Sequence, residues 1–217
     1  GKKHALLTNS GTSALHSIYV GADLKEGDEI ICPAYTFYAT VTPLFFTGAI
    51  PVLADSKSDG NIDPQDIERK ITDKTKGVVL THMWGLPCDM DAITDLARQY
   101  DLMLFEDASH AHGATYRGRK TGTFGDASAF SLQGQKTLTG GEGGILLTDN
   151  DEIFCRALLL GHYNKRCKTE IPTNNPLHQY AITGMGLKLR IHPVAAAIAD
   201  EQFDNLESIL EGRQKTA

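Results

Sequence analysis

Leu102-Met103-Leu104-Phe105-Glu106-Asp107-Ala108-Ser109-His110 is the stretch that decides the fold. An unbroken apolar run of strand length reads as a β-strand buried on both faces, the kind found in parallel sheets. Two acids follow directly at its carboxyl end. In open α/β sheets, ligands bind beyond the carboxyl ends of the strands, so Asp107 is a candidate site residue. An isolated acid in this place is more often a helix cap or a metal ligand, and the rest of the chain has to decide.

The same pattern repeats on either side. Residues 29–32, 51–54 and 77–81 are short apolar runs that read as buried parallel strands, and 6–8, 127–132 and 145–148 read as further strands. Between them lie helical patterns over 14–20, 36–46, 63–71 and 89–100, with later helices over 151–160 and 193–210. Asp63 followed by Pro64 supplies a capping acid and a proline for a first turn. Asp89 and Asp91 suit the positive end of a helix. Strand and helix in alternation imply right-handed crossovers and an α/β sheet covered on both faces. Residues 161–176 are polar and partly basic, and they read as a long surface loop.

Two more clusters share the chemistry. In Phe130-Ser131-Leu132-Gln133-Gly134-Gln135-Lys136-Thr137-Leu138-Thr139-Gly140-Gly141-Glu142-Gly143-Gly144, a strand runs into a glycine-bounded loop that carries one lysine. An amine held this way suits a Schiff base with a carbonyl compound, provided its pKa is lowered enough to leave free amine. In Asn9-Ser10-Gly11-Thr12-Ser13, a strand turns into a helix through three hydroxyls and a glycine. Free amides at such a helix start make an anion seat, although an ordinary Ser/Thr cap has the same appearance.

Taken in this order, the clusters resemble the sugar aminotransferases of the DegT/StrS type, a branch of the aspartate-aminotransferase-like fold type I of pyridoxal phosphate (PLP) proteins. The matching segments are Ser10-Gly11-Thr12-Ser13-Ala14-Leu15, Pro33-Ala34-Tyr35-Thr36-Phe37-Tyr38-Ala39-Thr40, Glu106-Asp107-Ala108-Ser109-His110-Ala111-His112-Gly113 and the run from Phe130 through Lys136 to Gly144. The resemblance implies a large PLP-binding domain with a mostly parallel central sheet and helices on both faces. It implies PLP as cofactor, with Lys136 as its Schiff-base lysine and proton carrier and Asp107 on the pyridine nitrogen. Thr12, Ser13 and Ser131 would bind the phosphate, and Phe37 would lie over the ring. His110 stands where the family usually has glutamine near the phenolic oxygen, which adds a titratable group. His82 ends a strand and either faces the pocket or is simply packed.

Two further positions depart from the family pattern. Lys188 occupies the place of an asparagine that reaches a neighbouring subunit's cofactor phosphate, and it could make that contact as a point charge. Gln133 stands where many relatives have histidine. By resemblance the activity is transfer of an amino group from glutamate or glutamine to a keto-sugar nucleotide or keto-cyclitol, in a homodimer. The alternatives are a sugar dehydratase, whose relatives carry histidine in place of the lysine, another PLP activity such as side-chain cleavage or decarboxylation, and a cofactor-domain remnant serving as a binding module. Residues 1–190 read as the cofactor domain and 191–217 as the start of a helix leading to a smaller C-terminal domain. The chain lacks an initial methionine and stops in a helical stretch, so it reads as a large domain without its ends.

Composition is compatible with such a domain. With 41% apolar and 22% charged residues, 217 residues can bury one large core. A net charge of −6 gives no electrostatic attraction to nucleic acid or acidic lipid. No apolar run has the length of a membrane span and no signal-peptide pattern opens the chain, which fits the cytoplasm. Cys32, Cys88, Cys155 and Cys167 are scattered, as reduced thiols would be, rather than paired as zinc ligands. His110 and His112, two apart in an extended segment, would point the same way, but with Asp107 they lack a further nitrogen or sulfur ligand for a metal.

Overall fold

The computed structural model describes residues 1–216. Its central sheet has seven strands: β1 (His4–Thr8), β2 (Glu29–Pro33), β3 (Ile50–Ala54), β4 (Thr75–Thr81), β5 (Met103–Asp107), β8 (Ala127–Ser131) and β9 (Gly144–Thr148). Two-residue strands β6 (Thr115–Tyr116) and β7 (Arg119–Lys120) form a separate antiparallel ribbon. The sheet order is β1-β9-β8-β5-β4-β2-β3. Strands β8, β5, β4, β2 and β3 are parallel, and β9 alone runs against its neighbours β8 and β1.

Helices α1 (Gly11–Gly21), α2 (Pro64–Lys70), α3 (Met90–Gln99) and α4 (Asp151–Gly161) cover the sheet. Side chains alternate across a strand, so each strand feeds both layers. Ile30, Val79 and Phe105 pack with Ile18 and Tyr19 of α1 and Leu158 of α4. Their neighbours Ile31, Val78, Leu80 and Leu104 pack instead with Ile67 of α2 and Ile93 of α3. The expected α/β architecture with helices on both faces is what forms. Short helix α5 (Lys165–Glu170) and helices α6 (Pro193–Asp204) and α7 (Leu206–Thr216) complete the described chain. Ala217, the last residue of the span assigned to a linking helix, lies outside the described residues. Among the described residues, no helix is long and apolar enough to cross a membrane.

Three elements differ from the sequence reading. The helix expected over 36–46 is two 3-10 turns, Tyr38–Thr40 and Thr42–Phe46. The run Thr40-Val41-Thr42 is β-branched, and Pro43 lacks an amide donor and disfavours helical backbone at Thr42. Phe45 and Phe46 are exposed and pack no helix face onto the sheet. The loop expected over 161–176 contains α5, held by Cys167 buried in the core and by the Arg166–Glu170 ion pair one turn apart. The single late helix is broken at Asn205, whose Nδ2 donates to the Glu201 carbonyl at 2.8 Å and competes with the helical ladder.

Candidate active site

One cleft of about 640 Å³ opens at the carboxyl ends of the parallel strands. The register explains its floor. Thr81 at the end of β4 lies beside Asp107 at the end of β5, and Asp107 lies beside Ala129 of β8. Asp107 shares the parity of Phe105, whose ring meets Tyr19 of α1 edge-on at 5.8 Å between centroids. The carboxylate therefore emerges on the α1 face of the sheet, where α1 begins. Ser131, two residues beyond Ala129, emerges on the same face.

The start of α1 is set against that strand end. Ser10 caps the helix, its Oγ accepting the Ser13 amide at 3.0 Å. The Ala14 amide is taken by the Ser10 carbonyl. Gly11 and Thr12, whose amides begin the helix and have no acceptor within it, both line the cleft. A side chain at Gly11 would meet Ser131 Cβ at 2.8 Å, so only glycine lets the helix start approach β8 this closely. Gly144 is equally constrained, because a Cβ there would lie 2.3 Å from the Ser10 carbonyl oxygen.

Lys136 enters the same cleft from a loop closed on itself. The Leu132 amide donates to the Gly143 carbonyl and the Gly140 amide to the Leu132 carbonyl. Leu132 and Leu138 pack on Ala199 of α6, and the Thr139 amide donates to Gln202 Oε1 at 3.0 Å. The lysine is half-buried, and among the described residues no carboxylate lies within ion-pair distance of it. Burial lowers its pKa, while Asp107 opposes that shift. Burial prevails, so the net shift is downwards and towards the free amine that a Schiff base needs.

Asp107 is buried and accepts two hydrogen bonds, from Thr40 Oγ1 at 2.7 Å and from the Ser109 amide at 3.1 Å. A carboxylate can accept about four, so capacity remains on the cleft side. Phe37 lines the wall with its ring exposed. His110 lines it too, with its pKa lowered by burial and by Lys136 and raised by Asp107. Of the sequence candidates, Thr12, Phe37, Asp107, His110, Ser131 and Lys136 share this cleft. Ser13 and Lys188 are not among its lining residues. Ser13 accepts from Ser10 Oγ, so Ser10 takes the place on the wall, and Lys188 is exposed elsewhere on the chain.

His82 and His112, the other histidines singled out in the sequence, are structural. His82 is fully buried; its Nδ1 accepts the Cys88 amide at 3.1 Å, which leaves Nε2 to donate to Glu106 Oε2 at 3.1 Å. Of the two readings of His82, the packed one holds. His112 does not share His110's direction, because the segment turns through Ala111 N–H to Ala108 carbonyl and Ala114 N–H to Ala111 carbonyl bonds. Its buried ring tilts against Phe130, and burial pushes its pKa down to about 4. Among the described residues, no group of three or more His, Cys, Asp or Glu side chains is placed to hold a metal ion. The sequence reading gave Thr36, Thr40 and Thr81 no role; only the fold assembles their hydroxyls behind Asp107.

A strand-end cleft with a lysine loop facing a buried carboxylate defines the class, the large domain of fold type I aminotransferases. The chain belongs to the DegT/DnrJ/EryC1/StrS aminotransferase family, whose model matches residues 1–217. It is 36% identical over 216 residues to GDP-perosamine synthase of Caulobacter vibrioides, covering 99% of this chain and 56% of that protein. Among solved structures, the aminotransferase from Psychrobacter cryohalolentis superposes with a TM-score of 0.85 at 33% identity, over 94% of this chain and 52% of that one. GDP-4-keto-6-deoxy-D-mannose-3-dehydratase of E. coli, with bound hydrated PLP, gives a TM-score of 0.89 at 26% identity, over 99% and 59%. The chain thus spans little more than half the length of the relatives it matches.

The residues present fit PLP. A helix start that Gly11 lets lie against Ser131 suits a phosphate, Asp107 keeps acceptor capacity for a ring N–H, and Lys136 supplies a half-buried amine.

Proposed function

We propose that this chain is the PLP-binding part of an aminotransferase that moves an amino group from glutamate or glutamine to a keto-sugar nucleotide or keto-cyclitol. The observation that carries the reading is that Lys136, Asp107 and the helix-start seat at Gly11 and Thr12 line one cleft. When bound, PLP accepts the electron pair left on the substrate carbon as that carbon loses its proton. Lys136 Nζ takes that proton and returns it, its burial leaving free amine at lower pH than an ordinary lysine has. Asp107 accepts the hydrogen bond of the ring N–H. Gly11 and Thr12 amides and the hydroxyls of Thr12 and Ser131 would hold the phosphate, Phe37 would cover one ring face, and His110 would hydrogen-bond the phenolic oxygen.

Residues 1–190 form the cofactor domain in this reading, and 191–217 lead towards the C-terminal domain of the full-length protein. Lys136 also weighs against the dehydratase reading, whose family members resemble this chain but carry histidine there. The test is chemical. PLP followed by borohydride should fix the cofactor on the peptide containing Lys136, and Lys136→Ala should lose all of that label. Label on a different residue, or undiminished label in the variant, rejects the assignment.

The assembly is a homodimer in this reading, with Lys188 of each protomer reaching the other's cofactor phosphate. Exposed Tyr38, Phe45, Phe46, Ile182, Met185 and Leu187 supply apolar surface that a second copy would cover. Sedimentation of the full-length protein should give twice the chain mass; a monomer at micromolar concentration rules the dimer out.

A further inference from the structure

The hydroxyls of Thr36, Thr40 and Thr81 come from three separate elements and meet behind Asp107. Thr40 lies in the first 3-10 turn, Thr36 in the segment before it and Thr81 at the end of β4. Thr40 and Thr81 are buried, and Thr36 is half-buried. Thr40 Oγ1 donates to Asp107 Oδ2 at 2.7 Å. Thr36 Oγ1 is 2.8 Å from Thr40 Oγ1 and 2.8 Å from Thr81 Oγ1, and a weaker 3.3 Å contact closes the triangle between Thr40 and Thr81.

Each hydroxyl has one hydrogen, and an ionised carboxylate only accepts. The direction of the chain follows from that count. The Thr40 hydrogen is committed to Asp107, so Thr36 must donate to Thr40. The Thr36 hydrogen is then committed as well, so Thr81 must donate to Thr36. The dipoles align head to tail towards the carboxylate, and aligned hydrogen bonds strengthen one another. The last link before the carboxylate is also anchored through its backbone, because the buried Tyr19 hydroxyl donates to the Thr40 carbonyl at 2.6 Å. Asp107 Oδ1 is fixed separately by the Ser109 amide. The carboxylate is thus gripped at both oxygens, leaving its remaining lone pairs towards the cleft.

We propose that Thr40 is a positioning residue for Asp107, and that Thr36 and Thr81 extend it into a one-way hydroxyl chain that fixes the carboxylate's angle towards the ring nitrogen of the cofactor. The last clause rests on the PLP reading above; the grip on Asp107 does not.

Two measurements on Thr40→Val, Thr40→Ser, Asp107→Ala and the Thr40→Val/Asp107→Ala double variant test it. In urea unfolding without cofactor, Thr40→Val should lower the folded-to-unfolded ratio about tenfold with Asp107 present, and much less beside Asp107→Ala. Equal losses in both backgrounds overturn the proposal, whether or not the protein binds PLP. In the PLP-loaded protein, Thr40→Val should weaken cofactor affinity about tenfold and move the pH midpoint of the bound cofactor's absorbance, with Thr40→Ser restoring both. Coupling to Asp107 with affinity and midpoint unmoved would make Thr40 a packing residue only, and that also overturns it. A wild-type chain that takes up no PLP sinks the cofactor reading, while the unfolding cycle still decides the grip. If Thr40→Val does not fold, Thr36→Val carries the same two readouts one link further out, with effects of about two- to fivefold.

Discussion

At the scale of single residues, the chemistry depends on how closely backbone and side chain can approach. Gly11 is the sharpest case, since the helix start that lines the cleft sits against Ser131 with no room for a methyl group. Gly11→Ala should push α1 away from β8 and open the anion seat without removing any polar group. The expected result is a loss of PLP affinity of about tenfold or more, equivalent to about 1.4 kcal/mol, with little change in secondary structure. Fluorescence titration with PLP beside circular dichroism measures both; unchanged affinity would mean that the seat lies elsewhere. Lys136, Asp107 and Thr12 were legible as candidates because glycines, hydroxyls and strand-end acids announce themselves locally, whereas Ser131 was marked only by the family resemblance. Thr40 was not, because its role needs the carboxylate of a residue 67 positions away.

At the scale of elements, the neighbours Glu106 and Asp107 divide the work of one strand end. Alternation turns Asp107 to the cleft and Glu106 to the opposite face. There Glu106 accepts the amides of Gly122, Phe124 and Gly125 at 2.7 Å each, besides His82. Burial pushes its carboxyl pKa up, but His82 and these amides outweigh that and hold it below the usual value. The pair fastens the loop that leads into β8, and so positions the strand that ends in Ser131. Each carboxylate oxygen of Glu106 meets two N–H donors, so Glu106→Gln turns an amide NH2 against two of them in either orientation. It should destabilise the fold by about 3 kcal/mol, read as a lower urea midpoint. A shift below about 1 kcal/mol would show that the loop is held by other contacts. The sequence reading recognised the strand and the acids but could not assign the two acids to faces. The 36–46 helix failed for a related reason, since apolar periodicity alone cannot register that Pro43 and the β-branched run before it deny the helix its hydrogen bonds.

At the scale of the whole molecule, acid stability follows from histidines buried in the neutral form. Burial holds His112 and His162 at about 4, and both ring nitrogens of His112 and Nε2 of His162 are buried without a hydrogen-bond partner. Their unfolded value is about 6.5, so between about pH 6.5 and 4 the unfolded chain binds protons that the folded chain does not. The stabilisation is present above pH 6.5 and is lost as pH falls towards 4, with a slope of up to about 1.4 kcal/mol per pH unit for each histidine. Urea midpoints at several pH values across that window should fall accordingly, and His112→Phe should flatten the slope. An unchanged slope in that variant would assign the acid sensitivity to other groups.

What the sequence determined by itself was the alternation of strands and helices, the placement of Asp107 beyond a strand end and of Lys136 in a glycine-bounded loop, because these are written in residues adjacent along the chain. What only the tertiary structure decided was the strand order, the reversal of β9, the burial of His82 and the meeting of three threonines behind one carboxylate. Those depend on which segments become neighbours after the sheet has closed, and spacing along a chain carries no information about neighbours that folding alone brings together.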